Sequence, residues 1–163
     1  MSISASLVVG GDGSSTKAGS SGGVSSSVDR SIFLARRREF DVILIGGNTA
    51  RAEPYSKSPI PLVVLSRSEV ASIALNPKAQ IWNLSPTQAI LRARVEFGPR
   101  ILVEGGPGLL RELLSEKLID DFFLTVTDVQ GGENPIDWHE ILTHFTTVEK
   151  SDVDGTQFFH AHN

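Results

Sequence analysis

The sequence predicts an α/β fold of three layers, with helices on both faces of a mostly parallel central sheet. Three observations carry this. The segments at 42–45, 62–65 and 101–103 are continuously apolar, as expected of strands covered on both faces. Such strands alternate with helix-like segments along the chain. Two of them lead into glycine pairs, the first directly into Gly46-Gly47 and the last through Glu104 into Gly105-Gly106, a junction that suits the carboxyl end of a parallel strand. At 163 residues the chain is expected to form one domain over 1–163.

The first strand is expected over 3–9. Residues 10–27 then hold 6 glycines and 7 serines, the composition of a flexible linker. Between a strand and a helix of a small domain, a loop this long is expected to be a mobile ligand loop. The helix after it opens with Ser26 and Asp29 at capping-box spacing, and Val28, Ile32 and Ala35 recur at helical intervals. Arg36, Arg37 and Arg38 close its last turn, where cations suit the helix dipole. Strands follow over 41–45 and 61–66, then a weaker helix over 68–75 and a strand over 80–84.

Ser85-Pro86-Thr87-Gln88 is a helix start, with an N-cap serine, proline at the first helical position and glutamine at the third. Ala89, Ile90 and Ala93 give that helix its apolar face. A strand over 100–104 leads into a helix over 107–118, whose Leu110, Leu113, Leu114 and Leu118 form a core stripe. The final third reads as strands over 121–129 and 145–159, joined by hairpin-like turns near the sheet edge.

Composition narrows the function. The absence of cysteine excludes disulfides, thiolate zinc sites, Fe–S clusters and cysteine nucleophiles, and fits a reducing cytoplasm. No transmembrane run or basic leader is read, so a membrane partner is not expected. Residues 1–111 carry 13 Lys/Arg against 8 Asp/Glu, whereas residues 112–163 carry 2 against 11. No dense basic stripe with interleaved aromatics appears, so nucleic acid is not an expected partner. A small phosphorylated ligand held by the arginine-bearing portion fits better, while the acidic end equally suits a solvated surface.

The junctions supply the chemistry. Glu104-Gly105-Gly106-Pro107-Gly108-Leu109-Leu110 follows a strand and opens a helix, so backbone N–H groups there point at one spot beside a positive dipole end. A third fingerprint glycine is missing, and a Gly-Pro turn before a helix is also often only structural. Gly46-Gly47-Asn48-Thr49-Ala50-Arg51 is not a Walker A loop, and it also reads as a strand-exit turn with Arg51 on the surface. Together the two junctions suggest a nucleotide across neighbouring strand ends. Ser66 and Arg67, at a third strand end, suit the 2′-phosphate that separates NADPH from NADH, and Ser66 or Ser68 also suits a helix N-cap.

Three other signals are set aside. Gly19-Ser20-Ser21-Gly22-Gly23 matches G-x-S-x-G without the strand a serine hydrolase needs. His139, Glu140 and His144 miss H-E-x-x-H by one residue. His160-Ala161-His162 is expected to be solvated at a chain end, and no metal is expected.

With these segments placed, the chain resembles the pyrimidine reductase of riboflavin biosynthesis, the RibD C-terminal type with a dihydrofolate-reductase-like fold. The resemblance runs over about 12–130 and rests on Asp12-Gly13, Gly19 to Gly23, Asp29-Arg30, the arginine-rich helix end, the run from Gly46 to Pro54, Ser66, the run from Glu104 to Leu110, Ile119-Asp120 and Gly131-Gly132. It implies that Thr49, Ser66 and Gly106, Pro107, Gly108, Leu109 and Leu110 hold NADPH, with Gly47, Arg67 and Gly105 beside them and Gly23 near the nicotinamide. Ser21, Arg37, Glu53 and Glu104 would face a diaminopyrimidinone carrying a ribosylamino 5-phosphate, with Glu53, an aspartate in many members, as the catalytic candidate.

The implied reaction reduces ribosylamino to ribitylamino in the cytoplasm, in an enzyme expected to be a homodimer. The family's usual Ser-Leu-Asp-Gly-Lys loop is altered to Gly10-Gly11-Asp12-Gly13-Ser14, with Lys17 the nearest lysine. This keeps open a non-catalytic NADPH-binding module, or a reductase of another small heterocycle. The zinc deaminase domain of bifunctional relatives needs cysteines that are not present.

Overall fold

The computed structural model describes residues 2–163. In chain order its elements are β1 (Ser2–Val9), β2 (Ser14–Thr16), α1 (Ser27–Arg37), β3 (Val42–Gly46), α2 (Gly47–Ala52), β4 (Leu62–Leu65) and β5 (Ala79–Trp82). Then come α3 (Pro86–Glu96), β6 (Arg100–Glu104), α4 (Pro107–Ser115), β7 (Asp121–Val126), β8 (Glu133–Pro135), α5 (Trp138–Leu142), β9 (Thr147–Val153) and β10 (Thr156–His162). The larger sheet has the strand order β5-β4-β3-β6-β1-β7-β10-β9, and β2 pairs with β8 in a separate ribbon. This is the mostly parallel α/β fold that the apolar strands predict. Among the described residues, no helix is long and apolar enough to cross a membrane.

The chain divides into two compact units. The first holds residues up to 5 and 36–119. Its strands β5, β4, β3 and β6 are all parallel, with Leu44 opposite Val63 and Val103, and Val63 opposite Gln80. Period-2 alternation sends Ile43, Ile45, Leu62, Val64 and Leu102 into one core cluster with Ala50, Tyr55, Val70 and Ile73. The α3 helix starts where its sequence says: the Gln88 N–H donates to Ser85 Oγ at 3.3 Å, and the Ser85 N–H donates to Gln88 Oε1 at 3.4 Å. That reciprocal pair is a capping box. Residues 68–75 form only a short 3-10 turn over Ala71–Ile73. Val70 and Ile73 alone reach the core there, too narrow a stripe for a helix.

The second unit holds residues 6–35 and 120–163. In it β10 lies between β7 and β9, antiparallel to both. The expected mobile loop is instead tied down. Ser14 and Thr16 pair with Pro135 and Glu133, and the Ala18 N–H and Thr16 hydroxyl donate to the Glu133 carboxylate at 3.1 and 3.0 Å. Asp12 accepts from the Ser14 hydroxyl, from the Ser14 N–H at 3.1 Å and from the Gly131 N–H at 2.8 Å. The Ser14 and Gly131 donors hold its carboxyl down at about 2. Lys17, the lysine nearest the altered loop, donates to the Gln130 carbonyl at 2.7 Å.

Candidate functional site

The four parallel strands of the first unit end at Trp82, Leu65, Gly46 and Glu104, side by side in the sheet. Just beyond these ends lies a cavity of about 800 Å³. Its walls come from the first turn of α2, the Leu65–Ser68 segment, the Asn83–Gln88 segment and the start of α4. Ligands of open parallel sheets bind at strand carboxyl ends, where loops diverge.

Thr49 fixes the two glycine turns against each other. Its hydroxyl accepts from the Gly106 N–H at 3.0 Å, which joins the turn after β3 to the turn after β6. Gly105 makes that approach possible: its φ is +87, and a Cβ there would fall 2.4 Å from the Thr49 methyl. Gly46 and Gly108, by contrast, would project a Cβ into open space. At the start of α4, Gly106 gives no side-chain cap and Pro107 carries no N–H. The N–H groups of Gly108 and Leu109 therefore have no acceptor within the helix, and both residues line the cavity.

The opposite wall is cationic and hydroxylic. Arg51 donates through Nη2 to Ser68 Oγ at 3.0 Å and to Ser66 Oγ at 3.3 Å, and through Nη1 to Asn48 Oδ1 at 3.2 Å. Arg67 lines the same wall, exposed. Arg51 is exposed, as the surface reading has it, and it also lines the cavity. Its spacing of four from Gly47 on a helix carried the signal, because i and i+4 share a face. Glu112 is the one acidic residue on the cavity wall.

The residues assigned to NADPH thus separate. Gly47, Thr49, Ser66, Arg67, Gly106, Pro107, Gly108 and Leu109 line the cavity, and Gly105 and Leu110 do not. Leu110 is buried in the core, and its N–H donates to the Gly106 carbonyl at 3.2 Å. Gly23 lies in the second unit, on a 3-10 turn over Ser21–Gly23 that also carries Ser21. A Cβ at Gly23 would meet the Lys17 carbonyl oxygen at 2.1 Å, so the backbone leaves no room for a larger residue.

The residues assigned to substrate are placed as follows. Arg37 and Glu104 are both buried and form a bidentate pair, with Nε to Oε1 at 2.8 Å and Nη2 to Oε2 at 2.7 Å. The Tyr55 hydroxyl donates to the same Oε2 at 2.6 Å. Burial, then the Glu104 charge, push the Tyr55 hydroxyl well above its ordinary range. Burial opposes the charge on Arg37, yet the hydrogen bond and charge of Glu104 hold its pKa raised. Glu53 caps the carboxyl end of α2, half-buried, with its N–H donating to the Thr49 carbonyl at 2.9 Å.

Comparisons with known proteins agree with this picture. A family model described as the RibD C-terminal domain matches residues 2–149. No curated protein matches the sequence. A crystal structure of a pyrimidine reductase-like protein from Corynebacterium diphtheriae superposes with a TM-score of 0.71 at 19% identity, covering 99% of this chain and 91% of that one. A deaminase and 5-amino-6-(5-phosphoribosylamino)uracil reductase from Thermotoga maritima gives 0.76 at 13% identity, with 99% and 56% covered. RibD of Acinetobacter baumannii gives 0.72 at 15% identity, with 99% and 57% covered. The chain thus spans little more than half the length of these last two proteins.

Proposed function

Because the chain belongs to the RibD C-terminal domain family, we propose that it is an NADPH-dependent reductase of the riboflavin-pathway type. Its substrate would be a diaminopyrimidinone 5′-phosphate, whose ribosylamino group becomes ribitylamino. The observation that carries this reading is the Thr49–Gly106 hydrogen bond, which sets both glycine turns beside one cavity at adjacent strand ends. The residues present fit a dinucleotide. The open space at Gly46 and Gly108 admits a pyrophosphate close to the backbone, and the free amides of α4 suit its charge. Arg51, Ser66, Arg67 and Ser68 gather the donors that a 2′-phosphate needs.

Thr49, Ser66, Arg67 and the turn from Gly106 to Leu109 would hold NADPH, which would supply the hydride that C1′ of the sugar needs, with one proton required at the ring oxygen as the C1′–O bond opens. The chain's own part is to hold the cofactor and keep water from the reacting carbon. Glu53, with Ser21, is assigned to the substrate by this reading, and Glu53 is the catalytic candidate. The test is oxidation of NADPH, followed at its near-ultraviolet band, with the ribosylamino-pyrimidine phosphate at saturation. Absence of any turnover would remove the assignment. A homodimer belongs to the same reading and is checked by light scattering.

A second reading is favoured by specific contacts. Asp12 is occupied in clamping Ser14 and Gly131, and Arg37 and Glu104 satisfy each other in the interior. A non-catalytic NADPH-binding module would show cofactor binding by calorimetry with no turnover of this or any other small heterocycle.

A further inference from the structure

The β9–β10 hairpin carries a cluster that the reductase reading does not use. In the antiparallel ladder His160 stands opposite Glu149, and alternation sets His162 on the same face two residues on. Sequence alone reads His160-Ala161-His162 as solvated; the ladder instead gives both rings an acidic partner. His160 Nδ1 lies 3.6 Å and His162 Nε2 4.0 Å from Glu149 Oε2. One potential ligand atom from each of the three residues lies within 4.8 Å of the others.

The other side of His160 decides what Nδ1 presents. His160 Nε2 is 2.7 Å from Asp121 Oδ1. A carboxylate only accepts, so Nε2 carries the proton and, in a neutral ring, Nδ1 offers a lone pair. That lone pair faces Glu149, a second acceptor, across a gap too long for a hydrogen bond. Two acceptors converging on one point call for a cation between them. Stacking on Phe123, with ring centres 4.6 Å apart, and the bond to Asp121 hold the imidazole in this attitude. A carboxylate behind a ligating histidine is the usual outer support of a metal site.

We propose that Glu149, His160 and His162 bind a divalent transition-metal ion of the zinc class, with Asp121 orienting His160. Two imidazoles and a carboxylate form a donor set suited to zinc. Ligand atoms around a tetrahedral ion with bonds of about 2.0–2.2 Å stand about 3.3–3.6 Å apart, so side-chain rotation closes the site without moving the strands. The rings are roughly one-third exposed and Glu149 two-thirds exposed, which leaves a coordination position for water. The bound ion would fasten β9, exposed along its whole length, to β10.

The experiment is zinc titration of the untagged full chain by calorimetry, with cobalt as a spectroscopic stand-in. One equivalent is expected to bind, and cobalt is expected to develop tetrahedral visible bands. His162→Ala and Glu149→Gln, both surface changes, are each expected to weaken zinc by at least about tenfold, and Asp121→Asn by about tenfold through His160. His144→Ala, which alters a histidine outside the cluster, should leave binding unchanged. No binding at millimolar zinc would overturn the site. Equal affinity in the His162→Ala and Glu149→Gln variants would also overturn it. Neither readout depends on reductase activity.

Discussion

Glu104 accepts from two nitrogens of Arg37 and from the Tyr55 hydroxyl, all within the interior of one unit. A buried pair is costly to break, because the partner left behind keeps its charge without compensation. Glu104→Gln is therefore expected to lower the unfolding free energy by about 3–5 kcal/mol, read from urea midpoints at constant slope. A triple Arg37→Met, Glu104→Leu, Tyr55→Phe variant should recover most of that loss, since both charges and the hydroxyl that Glu104 satisfies leave together. Failure to recover it would mean that the pair does more than satisfy itself.

Arg51 makes the opposite case, a charge held at the cavity wall by neutral groups, the Ser66 and Ser68 hydroxyls and the Asn48 amide oxygen. If it meets the 2′-phosphate, Arg51→Ala should weaken NADPH by about tenfold, or about 1.4 kcal/mol, while NADH changes little. Equal losses for both cofactors would move Arg51 from selectivity to general anchoring.

At the scale of elements, legibility followed the range of the forces involved. The parallel strands and α3 were readable because continuous apolar runs and a capping box are local signals. The β2–β8 ribbon was not, because its first strand, short and set in a glycine- and serine-rich segment, is organised by Glu133, more than a hundred residues away. The short α5 helix was equally hidden: Asp137 caps it, and Trp138 packs on Phe159 of a distant strand. In the candidate site, the two glycine turns were legible from their junctions, whereas the Thr49–Gly106 bond that joins them depends on the pairing of β3 with β6.

Asp12 shows the same dependence and carries a pH signature. Its donors favour the charged form, so the folded carboxyl titrates at about 2 against an ordinary 3.8. The folded state thus binds the proton less readily than the unfolded chain. The stabilisation is complete above about 3.8 and fades as pH falls through about 2. Carboxyl-carbon NMR should give an Asp12 midpoint well below 3.8, and Asp12→Asn should cost stability at neutral pH. A midpoint near 3.8 would mean that the clamp to Gly131 does not persist in solution.

For the molecule as a whole, charge and cavity agree on the ligand's character. The first 111 residues carry 13 cations against 8 anions, and every residue of the cavity wall lies among them except Glu112. A dinucleotide that binds only the folded chain must raise its stability, by about 2.7 kcal/mol at a hundredfold excess over Kd. For a chain of this size that corresponds to a rise in melting temperature of about 5–10 °C. NADH should give a smaller rise than NADPH at equal concentration, because it offers Arg51 and Arg67 no 2′-phosphate. Hydrogen exchange locates the effect: amides at 46–49 and 106–109 should gain protection, since these turns form the cavity wall. A thermal shift with no added protection in either turn would place the cofactor elsewhere, and equal shifts with both cofactors would remove the phosphate from the role given to the two arginines.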